Sequence, residues 1–208
     1  CYNLFMRHSW GKSLMMLLLA GGVIGFGFYF FSKTGEITVE SLEVGFLAQR
    51  SDLAVLLKQL GSIPDLDLSG LTEYEKKEDW TGALSVLADA ADKNKQYMEL
   101  AARIIVKTGD LNKEAEKIES IVLRPQAIDA ILDLQNGNSL MRDYLTMRAG
   151  IFQRLNKYYS DKALKGGAVP PDFSEDVLKL DDLIAQAQTA YNSFNQKIDL
   201  FDKAAGLQ

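Results

Sequence analysis

Nineteen consecutive residues without a charge, SLMMLLLAGGVIGFGFYFF from Ser13 to Phe31, dictate more about this chain than any other stretch. As a helix the run would be about 28 Å long, close to the roughly 30 Å hydrocarbon core of a bilayer. A signal peptide would have a shorter apolar region and a small-residue cleavage site behind it. Here the run closes on FGFYFFSKTGE, whose bulky aromatics offer no such site. A core helix of a soluble protein would carry the polar positions of an amphipathic pattern, which this run lacks. The expectation is a retained signal anchor over 13–31, preceded by a short flank (1–12) and followed by a juxtamembrane linker (32–37). Tyr29, Phe30 and Phe31 suit anchoring at the membrane interface. Gly21 and Gly25 form a G-x-x-x-G pair, a face through which two such helices approach closely.

Charge placement sets the orientation. Arg7 and Lys12 stand before the run, while Lys33 after it is accompanied by Glu36, Glu40 and Glu43. The positive-inside rule then keeps the N-terminus in the cytoplasm and sends the remainder out. A first residue that is Cys rather than Met reads as a truncated start. A lipid-modified cysteine and a pilin-like filament helix are weaker readings. The former rarely precedes a second membrane crossing, and the latter carries an early glutamate that is missing before Glu36.

Beyond Phe31 the composition changes. All 28 acidic residues lie there, against 21 of the 23 Lys and Arg. An acidic body without a basic stripe does not neutralise phosphates, so no nucleic-acid partner is expected. The single Cys1 and single His8 both precede the run. The body therefore lacks the side chains for a disulfide framework, a thiol nucleophile, a Ser-His-Asp triad or a typical zinc site. The Glu-x-x-His pairs of a di-iron bundle and a phosphate-binding G-x-x-x-x-G-K-[ST] loop are also missing. No cofactor and no metal is expected. The carboxylate pairs Asp181/Asp182 and Asp89/Asp92 read as solvated helix faces, and DLDLSG (Asp65–Gly70) lacks the later glutamate of a calcium loop.

The body, 38–208, reads as helices throughout. In the last segment Val177, Leu180, Ile184, Ala187, Tyr191, Phe194, Ile198, Phe201 and Ala205 recur at 3-4 spacing, the seam of a helix packed at a shallow angle on its neighbours. This predicts a helix over 174–205, with Ser174 as its cap and Gly206 as its stop. Val39, Leu42, Phe46, Gln49, Leu53, Leu56 and Leu60 repeat the rhythm after the anchor. Thr72 and Glu75 predict a capping box for a helix over 72–108, with Trp80, Leu84, Leu87, Ala91, Met98, Ala101 and Ile105 inward. Thr108-Gly109-Asp110 reads as a stop and restart, with a short helix through Leu111, Ala115, Ile118 and Val122. Pro125 favours another start or a kink, and the helix from there to about Leu164 is interrupted or bent at QNGNS, Gln135–Ser139. Tyr144, Phe152, Tyr158, Tyr159, Tyr191 and Phe194 are spaced as core residues.

KKEDWTGALSVLADA resembles part of one tetratricopeptide repeat at Trp80, Ala83, Leu87 and Ala90. The resemblance covers about a third of a repeat, lacks the glycine before the turn and has no copy about 34 residues on, so that family's peptide binding is not carried over.

The fold expected is all-α: one transmembrane helix, then an elongated up-and-down bundle of four to five long helices with coiled-coil-like packing. The function expected is a membrane-anchored, non-catalytic scaffold, spacer or protein-interaction module of the cell envelope. Its partners are the lipid bilayer and either another protein or a second copy. Two alternatives stand beside it, a ligand-sensing bundle working with a partner chain and a filament or pore subunit assembled through the apolar helix.

Overall fold

The computed structural model describes residues 44–62 and 70–207. These form five helices: α1 (Val44–Ser62), α2 (Leu71–Lys76), α3 (Trp80–Glu116), α4 (Leu123–Lys165) and α5 (Ser174–Ala204). Among the described residues there is no strand. The expected all-helical bundle is present, with four long helices and one of six residues. None of the described helices is long and apolar enough to cross a membrane. The run Ser13–Phe31, with Gly21, Gly25, Tyr29, Phe30 and Phe31, lies outside the described residues.

The long helices run up and down. α3 packs on α4, α4 on α5 and α1 on α3. Asn94 meets Leu145 and Asn138 meets Thr108, so α3 and α4 are antiparallel. Lys197 meets Asp129 while Arg154 meets Asp176, so α4 and α5 are antiparallel as well. α1 lies against the second half of α3, where the Lys107 ammonium reaches Gln49 and Asp52. Phe46 of α1 also packs on Phe201 of α5, ring centroids 5.5 Å apart. By its 43 residues α4 is about 64 Å long, whereas α1 is about 28 Å, so α1 completes the fourth side of the bundle along one half only.

The seam predicted for the last helix holds. Val177, Leu180, Ala187, Phe194, Ile198 and Phe201 are buried, and Ile184, Tyr191 and Ala205 are half-buried. Gly206 takes φ 72°, the left-handed conformation a side chain disfavours, and the Leu207 N–H donates to the Asp202 carbonyl beyond it. At the other end Ser174 is already helical and Phe173 holds the cap position without a side-chain bond, while the Asp172 carboxylate before it accepts from the Ser174 N–H and hydroxyl.

Other boundaries move. The helix expected over 72–108 is divided into α2 and α3, with Glu78 turned to φ 55° between them. Thr72 and Glu75 make no capping box. Asp79 caps α3 by accepting from the Gly82 N–H, and Glu75 is engaged by Tyr159. Thr108-Gly109-Asp110 does not stop the chain, and α3 continues to Glu116 with the Thr108 hydroxyl bonded to the Ile104 carbonyl. Nor does Gln135–Ser139 interrupt α4. Gly137 leaves room for the Tyr191 ring, which passes within 3.0–3.2 Å of where a Cβ would stand, and Asn138 bonds to both neighbouring helices. Tertiary packing here overrides the local turn tendency.

Candidate functional site

Among the described residues, four polar side chains occupy the core: Asn94, Thr108, Asn138 and Arg148. Their places follow from the heptads. In α3 the innermost stripe is Ala83, Leu87, Ala90, Asn94, Tyr97, Ala101, Ile104, Thr108, Leu111 and Ala115, so Ala91 is exposed rather than inward as expected. In α4 Arg148 falls seven residues after Met141 and seven before Leu155, at a position that the flanking heptads fill with Ala127, Leu134, Met141 and Leu155.

One part of this polar set is closed. Asn138 donates to the Thr108 hydroxyl at 2.9 Å and accepts from the Tyr191 hydroxyl at 3.0 Å, linking α3, α4 and α5. Burial pushes the Tyr191 hydroxyl well above its usual range, which keeps it a donor.

The other part is open. Asn94 donates to the Leu145 carbonyl at 3.1 Å, and this fixes which way its amide faces. Its Oδ1 has no hydrogen-bond partner, and neither has Arg148 Nε. The Arg148 guanidinium stands over the Tyr144 and Phe152 rings, 5.4 and 5.8 Å from their centroids, and reaches the Tyr144 hydroxyl at 3.4 Å. Among the described residues no carboxylate pairs with it.

Asn94 and Phe152 also belong to the wall of a half-open cavity of about 240 Å³ in the α3–α4 groove. Small residues make the space: Ala88 and Ala91 on α3 face Ala149 on α4, with Leu87 and Met98 completing an apolar floor. Lys95, Gln153 and Asn156 stand on its rim. An apolar floor with a few polar groups is the usual composition of a small-ligand pocket, and an unfilled amide acceptor selects for an N–H or O–H donor.

A third polar contact ties α2 to the bundle. The Tyr159 hydroxyl donates to Glu75 at 2.9 Å, and Tyr159 stacks on Trp80 with centroids 6.3 Å apart. Burial raises the Glu75 carboxyl above its ordinary value, against the opposing pull of the Tyr159 hydrogen bond and the Lys162 charge. Burial, and then the Glu75 charge, push the Tyr159 hydroxyl up as well.

The residues singled out from sequence are not brought together here. Asp89 and Asp92 are exposed, and Asp182 accepts from Gln186 on the surface of α5. The described residues contain no group of three His, Cys, Asp or Glu that could hold a metal ion. Tyr144, Phe152, Tyr158, Tyr159 and Phe194 are buried and Tyr191 half-buried, as their spacing predicts. Sequence reasoning missed Asn94 and Arg148. The signal available for them was the heptad count, which runs through both positions without a break. No family model, no curated protein and no solved structure matches this chain.

Proposed function

We propose that this chain is a membrane-anchored, non-catalytic helical bundle of the cell envelope, acting as a scaffold, spacer or protein-interaction module. The observation that carries the reading is where the chain joins the bundle. Twelve residues separate the uncharged run Ser13–Phe31 from Val44, and Val44 begins α1 at the tip where α3 and α5 end. An anchor in Ser13–Phe31, with Tyr29, Phe30 and Phe31 at the interface, tethers that tip, and α3 and α4 carry the opposite tip about 50–60 Å away. The acidic body then stands outside the cytoplasm, as the Arg7 and Lys12 flank favours. Its partners are the bilayer and a protein, which can be a second copy joined through the Gly21/Gly25 face. An acidic body argues against nucleic acid.

Alkaline extraction of membranes from expressing cells tests the reading. The full chain stays with the membrane pellet, whereas release into the supernatant overturns the anchor. Sizing in detergent tests the self-association: Gly21→Leu with Gly25→Leu converts a small oligomer to a monomer. Large open assemblies would favour the filament or pore subunit instead.

One observation favours a second reading, a ligand-sensing bundle that works with a partner chain. The α3–α4 cavity has an apolar floor and is lined in part by Asn94, whose amide oxygen is buried without a partner. A small donor-bearing ligand that raises the unfolding temperature of the parent protein, but not of Asn94→Leu, would support it.

A further inference from the structure

We propose that the crest of the α3–α4 connection, Ile121 and Val122, is a lipid-contacting tip that beds into the headgroup–acyl boundary of the same bilayer that holds Ser13–Phe31. This rests on the membrane-anchored reading.

The connection runs KIESIVLR, Lys117 to Arg124, and divides its four large apolar residues in two. Ile118 and Leu123 turn inward, fully buried and 8% exposed, and close the end of the core. Ile121 and Val122 turn outward, 87% and 58% exposed, at the crest. This is not a frayed loop. The Ser120 hydroxyl accepts from the Leu123 N–H at 3.2 Å, the Ser120 carbonyl accepts from the Arg124 N–H at 3.0 Å, and the Arg124 guanidinium is bonded to the Ile118 carbonyl. The turn holds two β-branched apolar side chains in water, where a helix–helix connection ordinarily presents polar ones.

What covers them follows from which tip they occupy. Gly45, at the start of α1, lies against the carboxylate of Glu114 in the last turn of α3. Val44 is therefore at the same tip, and it is 84% exposed. From Val44 the chain leads back through twelve residues to the uncharged run. The apolar crest thus stands at the tethered tip of the bundle, and the interface plane of a bilayer accepts such residues. Charge argues for apolar rather than electrostatic contact. From Lys113 to Arg124 three basic residues (Lys113, Lys117, Arg124) balance three acidic ones (Glu114, Glu116, Glu119). Anionic lipid gains nothing at this tip, and salt does not release it.

The test uses the full chain with Cys1→Ser, reconstituted into phosphatidylcholine vesicles. An environment-sensitive fluorophore is placed on Ile121→Cys, or on Val169→Cys in the α4–α5 connection, which is 83% exposed at the opposite tip. The expected result is flotation with the vesicles. The position-121 emission shifts to shorter wavelength, unchanged by raised salt, and loses intensity to a quencher carried by the lipid, while position 169 keeps its aqueous spectrum. If the protein floats but both positions read as aqueous, the lipid tip is wrong and the anchor stands. A blue shift without loss to the lipid-borne quencher means that a protein surface covers the crest, which also overturns the proposal. Failure to float removes the anchor and the tip together.

Discussion

Arg50 and Asp202, 152 positions apart in the chain, meet through two side-by-side hydrogen bonds of 2.6 and 2.7 Å. The pair joins the second turn of α1 to the last turn of α5, beside the Phe46–Phe201 contact, and so closes the bundle at the tip where α1 begins. Both side chains are less than one-fifth exposed, and the forked geometry matches a guanidinium to a carboxylate. A double-mutant cycle with Arg50→Ala and Asp202→Ala is expected to give a coupling of about 1–3 kcal/mol, above the value of an exposed pair. Chemical denaturation measures it. Independent effects of the two changes would mean that α1 does not dock where the structure has it.

Two glycines in the interior of α4 separate helix propensity from packing. At Gly150 an added methyl group would have nothing within 4 Å, so Gly150→Ala should stabilise by about 0.5–1 kcal/mol. At Gly137 the same methyl group would meet the Tyr191 ring at 3.0–3.2 Å, and that ring is pinned through its hydroxyl to Asn138. Gly137→Ala is therefore expected to destabilise by about 1–2 kcal/mol in spite of the same propensity gain. Thermal unfolding of the two variants decides it. Equal stabilisation by both would contradict the Tyr191 contact.

Glu75 supplies a pH dependence with a definite sign. Its folded carboxyl lies above the usual 4.5, chiefly because it is buried, so the folded state favours the protonated form. That contribution is fully present below the unfolded value and is lost as pH rises through the folded one. Glu75→Gln keeps an acceptor for the Tyr159 hydroxyl and removes the titration. The stability of the variant relative to the parent should thus climb from acid to neutral pH. A difference that stays flat, or falls over the same range, would mean that Glu75 is not held against Tyr159 in this way.

Arg148 is a charge in an apolar position. Its Nε has no partner, its Tyr144 contact is long at 3.4 Å, and two aromatic faces are its remaining neighbours of note. Arg148→Met keeps much of the stem volume and matches Met141 one heptad earlier, so it should stabilise the bundle by about 1–3 kcal/mol. Arg148→Ala removes the packed stem as well, and should lose most of that gain to the cavity it leaves. Destabilisation by Arg148→Met would point to an anionic partner for the guanidinium.

Legibility along the chain followed the continuity of each seam. α5 could be read nearly to its ends because Val177 through Ala205 carry apolar or aromatic residues at every inward step. α3 and α4 were harder, since their stripes pass through Asn94, Thr108, Asn138 and Arg148. Polar residues there, next to Gly109 and Gly137, imitate helix breaks. Thr108 and Asn138 are instead bonded to each other across the two helices, which a local window does not contain. The caps were missed for a related reason: α3 is capped by Asp79, seven residues beyond Thr72, and the Asp172 carboxylate takes the N–H of Ser174, which is already inside the helix. The cavity was not legible at all. It depends on Ala88 and Ala91 facing Ala149 across two helices, and on an amide whose acceptor is left over by packing.

Whether a tethered bundle stands outside the cytoplasm can be read by surface labelling. The full chain with Cys1→Ser and Val169→Cys is expressed, intact cells are treated with a membrane-impermeant maleimide, and lysed cells serve as the control. Val169 is chosen because it is exposed at the tip opposite Val44. Labelling is expected in intact cells, with the labelled protein remaining in the membrane pellet after an alkaline wash. Labelling only after lysis would place the bundle on the cytoplasmic side and contradict the proposed topology.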